Sequence, residues 1–142
     1  MVRRIVLDTN VVVSALRSRR GSSATLLVQA GTGHFEHCLS VALLFEYESA
    51  LKDPESGITL PQEAIEDVLD YLAATGQLQE VFFLWRPALP DPTDDHVLEV
   101  AVAGGCDTIV TYNRRDFRGA ERFGVRVVTP REFLIELEDQ DE

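Results

Sequence analysis

The chain has 142 residues, a length that suits one domain, and 45% of them are hydrophobic, which is enough to bury a core. Its net charge of −11 argues against a protein that coats nucleic acid through bulk positive charge, although an enzyme with a local arginine patch is compatible with it. The sequence has no apolar run of about 18 residues and no signal-peptide pattern, so we expect a cytoplasmic protein without a membrane span.

The first predicted strand ends at an acidic residue. Residues 5–7 are consecutive apolar residues, as in a strand that is buried on both faces, and Asp8 follows them. Asn10 is predicted to cap the next helix. A polar, basic loop comes after it, and a second helix is predicted over residues 22–30.

The middle of the chain alternates between strands and helices. Residues 35–39 are short and apolar between turn residues, which indicates the second strand. Ser40 is predicted to cap the helix that follows, and Pro61 to open another. Residues 81–85 are predicted to form the third strand. Asp91, with a proline directly after it, is the typical start of a further helix.

The last part of the chain predicts two strands and a helix. The fourth strand is predicted at residues 108–111 and the fifth at residues 125–128. Residues 129–132, Thr-Pro-Arg-Glu, form a capping box that opens the last helix. We expect this helix to end near residue 137 and the acidic residues 138–142 to fray.

This alternation predicts parallel βαβ units with right-handed crossovers and helices on both faces of a sheet. We therefore predict an α/β fold in a single domain over residues 1–142, with five parallel strands in the order 3-2-1-4-5. Ligands of open parallel sheets bind at the carboxyl ends of the strands, and Asp8 is predicted at the centre of that edge.

Acidic residues at four positions are predicted to approach this edge: Asp8, Glu46, Asp94 with its neighbour Asp95, and Asp116. Hard divalent cations take oxygen ligands, and such ions assist the hydrolysis of phosphodiesters. A structural reading stays open for each residue. Asp8 and Asp116 would then cap a helix and a turn. The other acids would be solvated helix residues or would complement a helix dipole.

Four segments carry a resemblance to a known family: residues 5–10 (Ile-Val-Leu-Asp-Thr-Asn), 45–47 (Phe-Glu-Tyr), 94–98 (Asp-Asp-His-Val-Leu) and 110–117 (Val-Thr-Tyr-Asn-Arg-Arg-Asp-Phe). In this order, over nearly the whole chain, they resemble the PIN-domain ribonucleases, which include the VapC-type toxins of bacterial toxin–antitoxin pairs. The most specific part is the string Thr-x-Asn-x-x-Asp-Phe after a strand, combined with the other acids.

The resemblance implies a three-layer α/β/α fold, a Mg²⁺ or Mn²⁺ site and endoribonuclease activity by metal-assisted hydrolysis. It implies that four acids are catalytic and bind the metal: Asp8, Glu46, Asp95 and Asp116. Asp94 is a possible substitute for Asp95. It also implies a homodimer and a small antitoxin protein as partner.

Neighbouring residues complete the predicted site. Four polar residues are expected to support the acids by hydrogen bonds: Thr9, Asn10, Thr111 and Asn113. Four arginines are candidates for contacts with RNA phosphates, or alternatively ordinary solvated surface: Arg19, Arg20, Arg114 and Arg115. Asp95 is preferred to Asp94 because it lies 16 residues before Thr111, the spacing expected for the family.

Two other protein classes whose first strand ends in aspartate fit poorly. Haloacid-dehalogenase-like phosphatases have a second aspartate two residues on, where this chain has Asn10. Both they and receiver domains need a late lysine, whereas Lys52 is early. The alternative that stays open is a catalytically silent PIN scaffold that binds protein or RNA. Loss of one of the acids would mark it, and none is lost here.

Overall fold

A computed structural model describes residues 2–81 and 88–141. The sheet consists of β1 (Arg3–Leu7), β2 (Phe35–Leu39), β3 (Gln77–Leu78), β4 (Thr108–Val110) and β5 (Arg126–Val128). All neighbouring strands pair in parallel, in the order β3-β2-β1-β4-β5, and helices lie on both sides. The predicted α/β fold and strand order are confirmed.

The α-helices are α1 (Thr9–Arg17), α2 (Ser22–Gln29), α3 (Val41–Leu51), α4 (Gln62–Thr75), α5 (Asp95–Ala103) and α6 (Pro130–Asp141). Short 3-10 helices occupy Pro92–Asp94, Arg114–Phe117 and Ala120–Phe123. Within residues 2–81 and 88–141, no helix combines the length and apolar character that crossing a bilayer requires.

The sheet differs from the sequence prediction at its β3 edge. The third strand is Gln77–Leu78, whereas Val81 lies in no strand and the rest of the predicted strand, residues 82–85, lies outside the described residues. Gly76 allows this edge strand to approach β2, because a Cβ there would lie 2.0 Å from Leu39 Cδ2. The pattern missed the strand because its two residues are exposed and only one is apolar.

Two helix ends also differ. The cap of α1 is Asp8 and not Asn10, because the Asp8 carboxylate accepts the Thr9 backbone N–H at 2.9 Å. The last helix continues to Asp141, past the predicted end. The predicted capping box of α6 is present: the N–H of Thr129 donates to the Glu132 carboxylate at 2.8 Å, and the Glu132 N–H donates back to Thr129 Oγ1 at 3.2 Å.

A buried tyrosine attaches α3 to the end of β1. Tyr47 is fully buried, and its hydroxyl donates to the carbonyl of Leu7. That carbonyl belongs to the residue before Asp8, and Tyr47 follows Glu46 in the chain. The core contact therefore fixes the distance between two acids that lie far apart in sequence.

The amino ends of three strands are joined by ion pairs. Arg3 lies 2.7 Å from Glu136 and 2.9 Å from Asp107, with its guanidinium carbon 4.9 Å from the centre of the Phe133 ring. Arg126 binds the same Glu136 at 2.7 Å. We call this cluster the amino-edge network. It holds β1, β4 and β5 against α6 at the amino ends of the strands, opposite the end at which Asp8 lies.

Candidate active site

Asp8 both caps α1 and faces the carboxyl edge of the sheet. One carboxylate oxygen accepts the Thr9 N–H, as described above. The other accepts from Thr111 Oγ1 at 2.8 Å and from Asn10 Nδ2 at 3.2 Å. The two sequence interpretations of Asp8 are therefore compatible, since the bonds that cap the helix also orient the carboxylate.

Thr111 is the centre of the hydrogen bonds around Asp8. It follows β4, is fully buried and accepts the Asn113 N–H at 3.0 Å and the Asn10 amide at 3.2 Å. The Asn10 side chain in turn accepts the Tyr112 N–H at 3.2 Å. Asn10 and Thr111 lie where a supporting role was predicted, whereas Asn113 contributes its backbone N–H.

Burial raises the pKa of Asp8, and the nearby charges of Glu46 and Asp116 raise it further. The hydrogen bonds from Thr111 and the Thr9 N–H act in the opposite direction. The carboxylate is thus kept in a place where its charge is electrostatically costly, which is a common property of functional sites.

Glu46 projects from α3 with both carboxylate oxygens engaged. One accepts the Thr9 hydroxyl, and the other lies 3.2 Å from His96 Nε2. The hydrogen bond with His96 lowers the pKa of Glu46, and the same contact raises the pKa of His96. Thr9 therefore lies where a supporting role was predicted: its side-chain hydroxyl binds Glu46, while its backbone N–H binds Asp8.

Sequence reasoning did not assign a role to His96. The residue lies on α5, and its Nδ1 is buried without a hydrogen-bond partner in the described part of the chain. The available signal was an ionisable residue directly after two aspartates, at the start of an otherwise apolar helix.

Asp94 and Asp95 face different parts of the molecule. Asp95 is 1% exposed, and its carboxylate accepts the backbone N–H groups of Leu89 at 3.0 Å and Ala88 at 3.3 Å. Asp94 lies among the other acids: partial burial, followed by the charges of Asp116 and Asp8, raises its pKa to about 6. The hydrogen bonds of Asp95 and the charges around Asp94 thus favour Asp94 as the third acid, while the sequence preference for Asp95 remains a prediction.

Asp116 lies on the 3-10 helix that follows β4. Its N–H donates to the Asn113 carbonyl at 3.0 Å, which closes a turn. Its charge contributes to the raised pKa values of both Asp8 and Asp94. The structure therefore brings Asp8, Glu46, Asp94 and Asp116 into one acidic cluster, which we call the acidic edge.

The predicted RNA-contacting arginines fall into two pairs. Arg114 and Arg115 are exposed and line a cavity together with Asp116. Arg19 and Arg20 are exposed in the loop between α1 and α2, and they line none of the described cavities.

The arrangement of strands, helices and acids can be compared with known families. The family model described as PIN domain matches residues 4–115. The chain belongs to the PIN-domain family. The match includes Asp8, Glu46, Asp94 and Asp95, and it ends one residue before Asp116. A comparison with curated proteins gave no match.

PIN domains are generally nucleases and typically use divalent metal ions. Within residues 2–81 and 88–141, no three Asp, Glu, His or Cys side chains of this PIN domain are placed to hold an ion as they stand. The donors nevertheless fit in kind, because hard cations take carboxylate oxygens. Burial, followed by the charges of Asp116 and Asp8, raises the pKa of Asp94, and a bound cation would offset this cost of ionising it.

Proposed function

We propose that this PIN domain is a Mg²⁺- or Mn²⁺-dependent endoribonuclease that hydrolyses RNA phosphodiester bonds. The observation that carries the proposal is the acidic edge, where burial and the charges of Glu46 and Asp116 raise the pKa values of both Asp8 and Asp94. The preference for RNA rests on the resemblance to PIN-domain ribonucleases stated above.

The protein groups of this mechanism have separate tasks. Asp8, Glu46, Asp94 and Asp116 would hold the cation, while Thr111 and Asn10 fix the orientation of Asp8 and Thr9 and His96 that of Glu46. When bound, a divalent cation supplies charge that activates water and stabilises the negative charge developing on the phosphodiester. Prior orientation of the carboxylates lowers the cost of assembling this site.

The decisive experiment is Mn²⁺-dependent cleavage of single-stranded RNA by the wild type and by Asp8→Asn and Glu46→Gln. We expect loss of cleavage in both variants, because an amide keeps the shape of the side chain but removes the charge. Glu48→Gln is the matched control, since Glu48 lies on the same helix and pairs with Lys52 at 3.1 Å. Cleavage that survives EDTA or Asp8→Asn would refute the proposal.

The second candidate is a catalytically silent scaffold. One observation favours it: within residues 2–81 and 88–141, no three Asp, Glu, His or Cys side chains are placed to hold a metal ion. An absence of Mn²⁺ binding in calorimetry, together with intact RNA in the cleavage assay, would select it.

We also propose that the protein is a cytoplasmic homodimer and the toxin of a toxin–antitoxin pair. Besides the resemblance, apolar exposure on α3 supports an interface: Val41 is 55% and Phe45 64% exposed, next to a groove that Leu69 and Ala73 line on α4. Light scattering over a concentration series tests the dimer. Copurification of a small protein encoded by the neighbouring reading frame tests the partner.

A further inference from the structure

A large cavity lies beside the edge strand β5 and not over the acids. Its volume is about 740 Å³, within the range of roughly 300–1,000 Å³ that is usual for ligand pockets. Four arginines contribute to its lining: Arg114, Arg115, Arg118 and Arg126. Residues 124–128 also line it, and among them only Gly124 has no side chain. We call this cavity the β5 cleft.

The arginines of the β5 cleft differ in how far their charge is compensated. Arg126 is paired with Glu136 through two contacts, at 2.7 and 2.9 Å, and Arg114 lies 3.4 Å from Glu132. Arg115 and Arg118 are exposed and form no ion pair with any residue in the ranges 2–81 and 88–141. In a chain with a net charge of −11, two uncompensated arginines at one cavity indicate an anionic ligand.

A second cavity connects this cleft with the acidic edge. It has a volume of about 370 Å³ and is lined by Tyr112, Asn113, Arg114, Arg115 and Asp116. The two cavities share Arg114 and Arg115, so a continuous surface leads from Asp116 to Arg118.

Tyr112 offers an aromatic surface along this path. It is 45% exposed, and its hydroxyl is hydrogen-bonded to the buried Ser23, which fixes the ring. A fixed, exposed ring that lines the same cavity as Asp116 and Arg115 suits a chain of bases and phosphates, because bases stack on aromatic rings and arginines bind phosphates. An acidic protein segment would use the arginines but not the ring.

We propose that the β5 cleft is a subsite for single-stranded RNA, in which Arg115 and Arg118 bind phosphates of nucleotides that lie beyond the scissile bond. The inference rests on the proposed ribonuclease function, which places the scissile bond of the RNA at the acidic edge. From there the RNA would run across Tyr112 into the cleft. It adds a binding determinant, Arg118, that is distinct from the acids.

The binding test uses Asp8→Asn protein, so that RNA is not consumed, with Mn²⁺ and a fluorescein-labelled single-stranded RNA of about eight nucleotides. We expect Arg115→Gln and Arg118→Gln each to weaken binding about fivefold and to reduce the salt slope by about 0.7, as for one lost phosphate contact. Arg17→Gln is the matched control: Arg17 is exposed, binds the Ser56 carbonyl at 2.8 Å and lines neither cavity.

Substrate length provides the second arm. With otherwise wild-type protein, Arg118→Gln should raise the KM for the longer RNA about fivefold with little change in kcat, whereas a dinucleotide should be cut equally well by both proteins. An equal effect on both substrates would assign Arg118 a structural role and overturn the subsite.

The outcomes separate the two proposals. Unchanged binding in Arg115→Gln and Arg118→Gln, with RNA still cleaved, refutes the subsite and leaves the ribonuclease intact. RNA binding that depends on Arg118 in a protein that never cleaves RNA retains the subsite and refutes the ribonuclease. Displacement of RNA from the cleft by poly-glutamate at lower concentration than by unlabelled RNA would instead assign the cleft to an acidic protein segment.

Discussion

His96 and Glu46 lie 50 positions apart in sequence, and their side chains meet at 3.2 Å between Nε2 and Oε1. The contact connects α5 to α3 across the carboxyl edge of the sheet. Because the other Glu46 oxygen accepts the Thr9 hydroxyl, the two contacts together leave the carboxylate little freedom to rotate.

This pair predicts a pH dependence of stability in metal-free protein. The pKa of Glu46 is lowered from 4.5, so its carboxylate adds to the free energy of unfolding above pH 4.5. This contribution is lost as pH falls through the folded-state pKa. The pKa of His96 is raised from 6.5, so its contribution to the free energy of unfolding is complete below pH 6.5. This contribution is lost as pH rises through the folded-state pKa. His96→Gln should therefore lower the melting temperature most between pH 4.5 and 6.5.

Thermal melts in EDTA across this range and at about pH 9 check the prediction. His34→Gln is the control, because His34 is exposed in the turn before β2. A His96→Gln effect that is the same at all pH values would show that packing, and not charge, accounts for it.

Asp94 and Asp95 should respond oppositely to removal of their charge. Asp94→Asn should abolish Mn²⁺-dependent cleavage and raise the melting temperature of metal-free protein near neutral pH, since its pKa of about 6 reflects burial and repulsion. Asp95→Asn should destabilise the protein by about 1–3 kcal/mol, because the buried carboxylate accepts two backbone N–H groups.

Paired measurements of melting temperature and initial cleavage rate on both variants decide this assignment. Because the pKa of Asp94 is raised, its ionisation should cost metal-free wild type stability as pH rises from 3.8 to about 6, and Asp94→Asn should lack this loss. Full activity in Asp94→Asn, with a stable but inactive Asp95→Asn, would restore Asp95 as the third acid.

Thr111→Val should weaken Mn²⁺ binding about tenfold, as expected for a residue that orients a metal ligand. Valine keeps the volume of threonine but removes the hydroxyl that donates to Asp8 at 2.8 Å. Titration calorimetry in the absence of RNA gives the affinity directly.

Thr108→Val, at the first residue of β4, provides the control. Thr108 is also fully buried, but its hydroxyl donates to Asp107 at 2.6 Å, at the amino end of β4. We expect this variant to lose stability and to keep the Mn²⁺ affinity of the wild type. Equal affinities in Thr111→Val and Thr108→Val would exclude the supporting role of Thr111.

Mn²⁺ should itself raise the melting temperature of the wild type. A ligand that binds only the folded state stabilises it by about 2.7 kcal/mol at one hundred times its dissociation constant. The rise should be absent in Asp8→Asn and present in Glu48→Gln, in a scan without RNA. A rise of equal size in Asp8→Asn would place the ion elsewhere.

The sequence was most informative where local pattern and fold agree. The apolar run before Asp8 defines the central strand, and the limits of β2 coincide with the predicted residues 35–39. These strands are buried, so their apolar character is visible in the sequence. The edge strand Gln77–Leu78 is exposed and leaves no such signal.

The different surroundings of Asp94 and Asp95 could not be predicted from the sequence, for a geometric reason. The Asp91-Pro92 pattern predicts a regular α-helix from Asp91 onward, in which residues advance by about 100° each. The segment Pro92–Asp94 is instead a 3-10 helix, which advances by about 120° per residue and so changes where each side chain points. The backbone N–H groups of Ala88 and Leu89 that bind Asp95 are a tertiary feature without a sequence pattern.

The amino-edge network has a consequence for engineering this protein. Arg3, Asp107, Arg126 and Glu136 lie at the opposite ends of the strands from Asp8. Arg3, Asp107 and Glu136 line no part of the β5 cleft, unlike Arg126. Substitutions that strengthen the contacts of these three residues can raise thermal tolerance without altering the acidic edge, so the usual exchange of activity for stability need not arise there. The sheet thereby separates the region that tolerates redesign from the region that chemistry constrains.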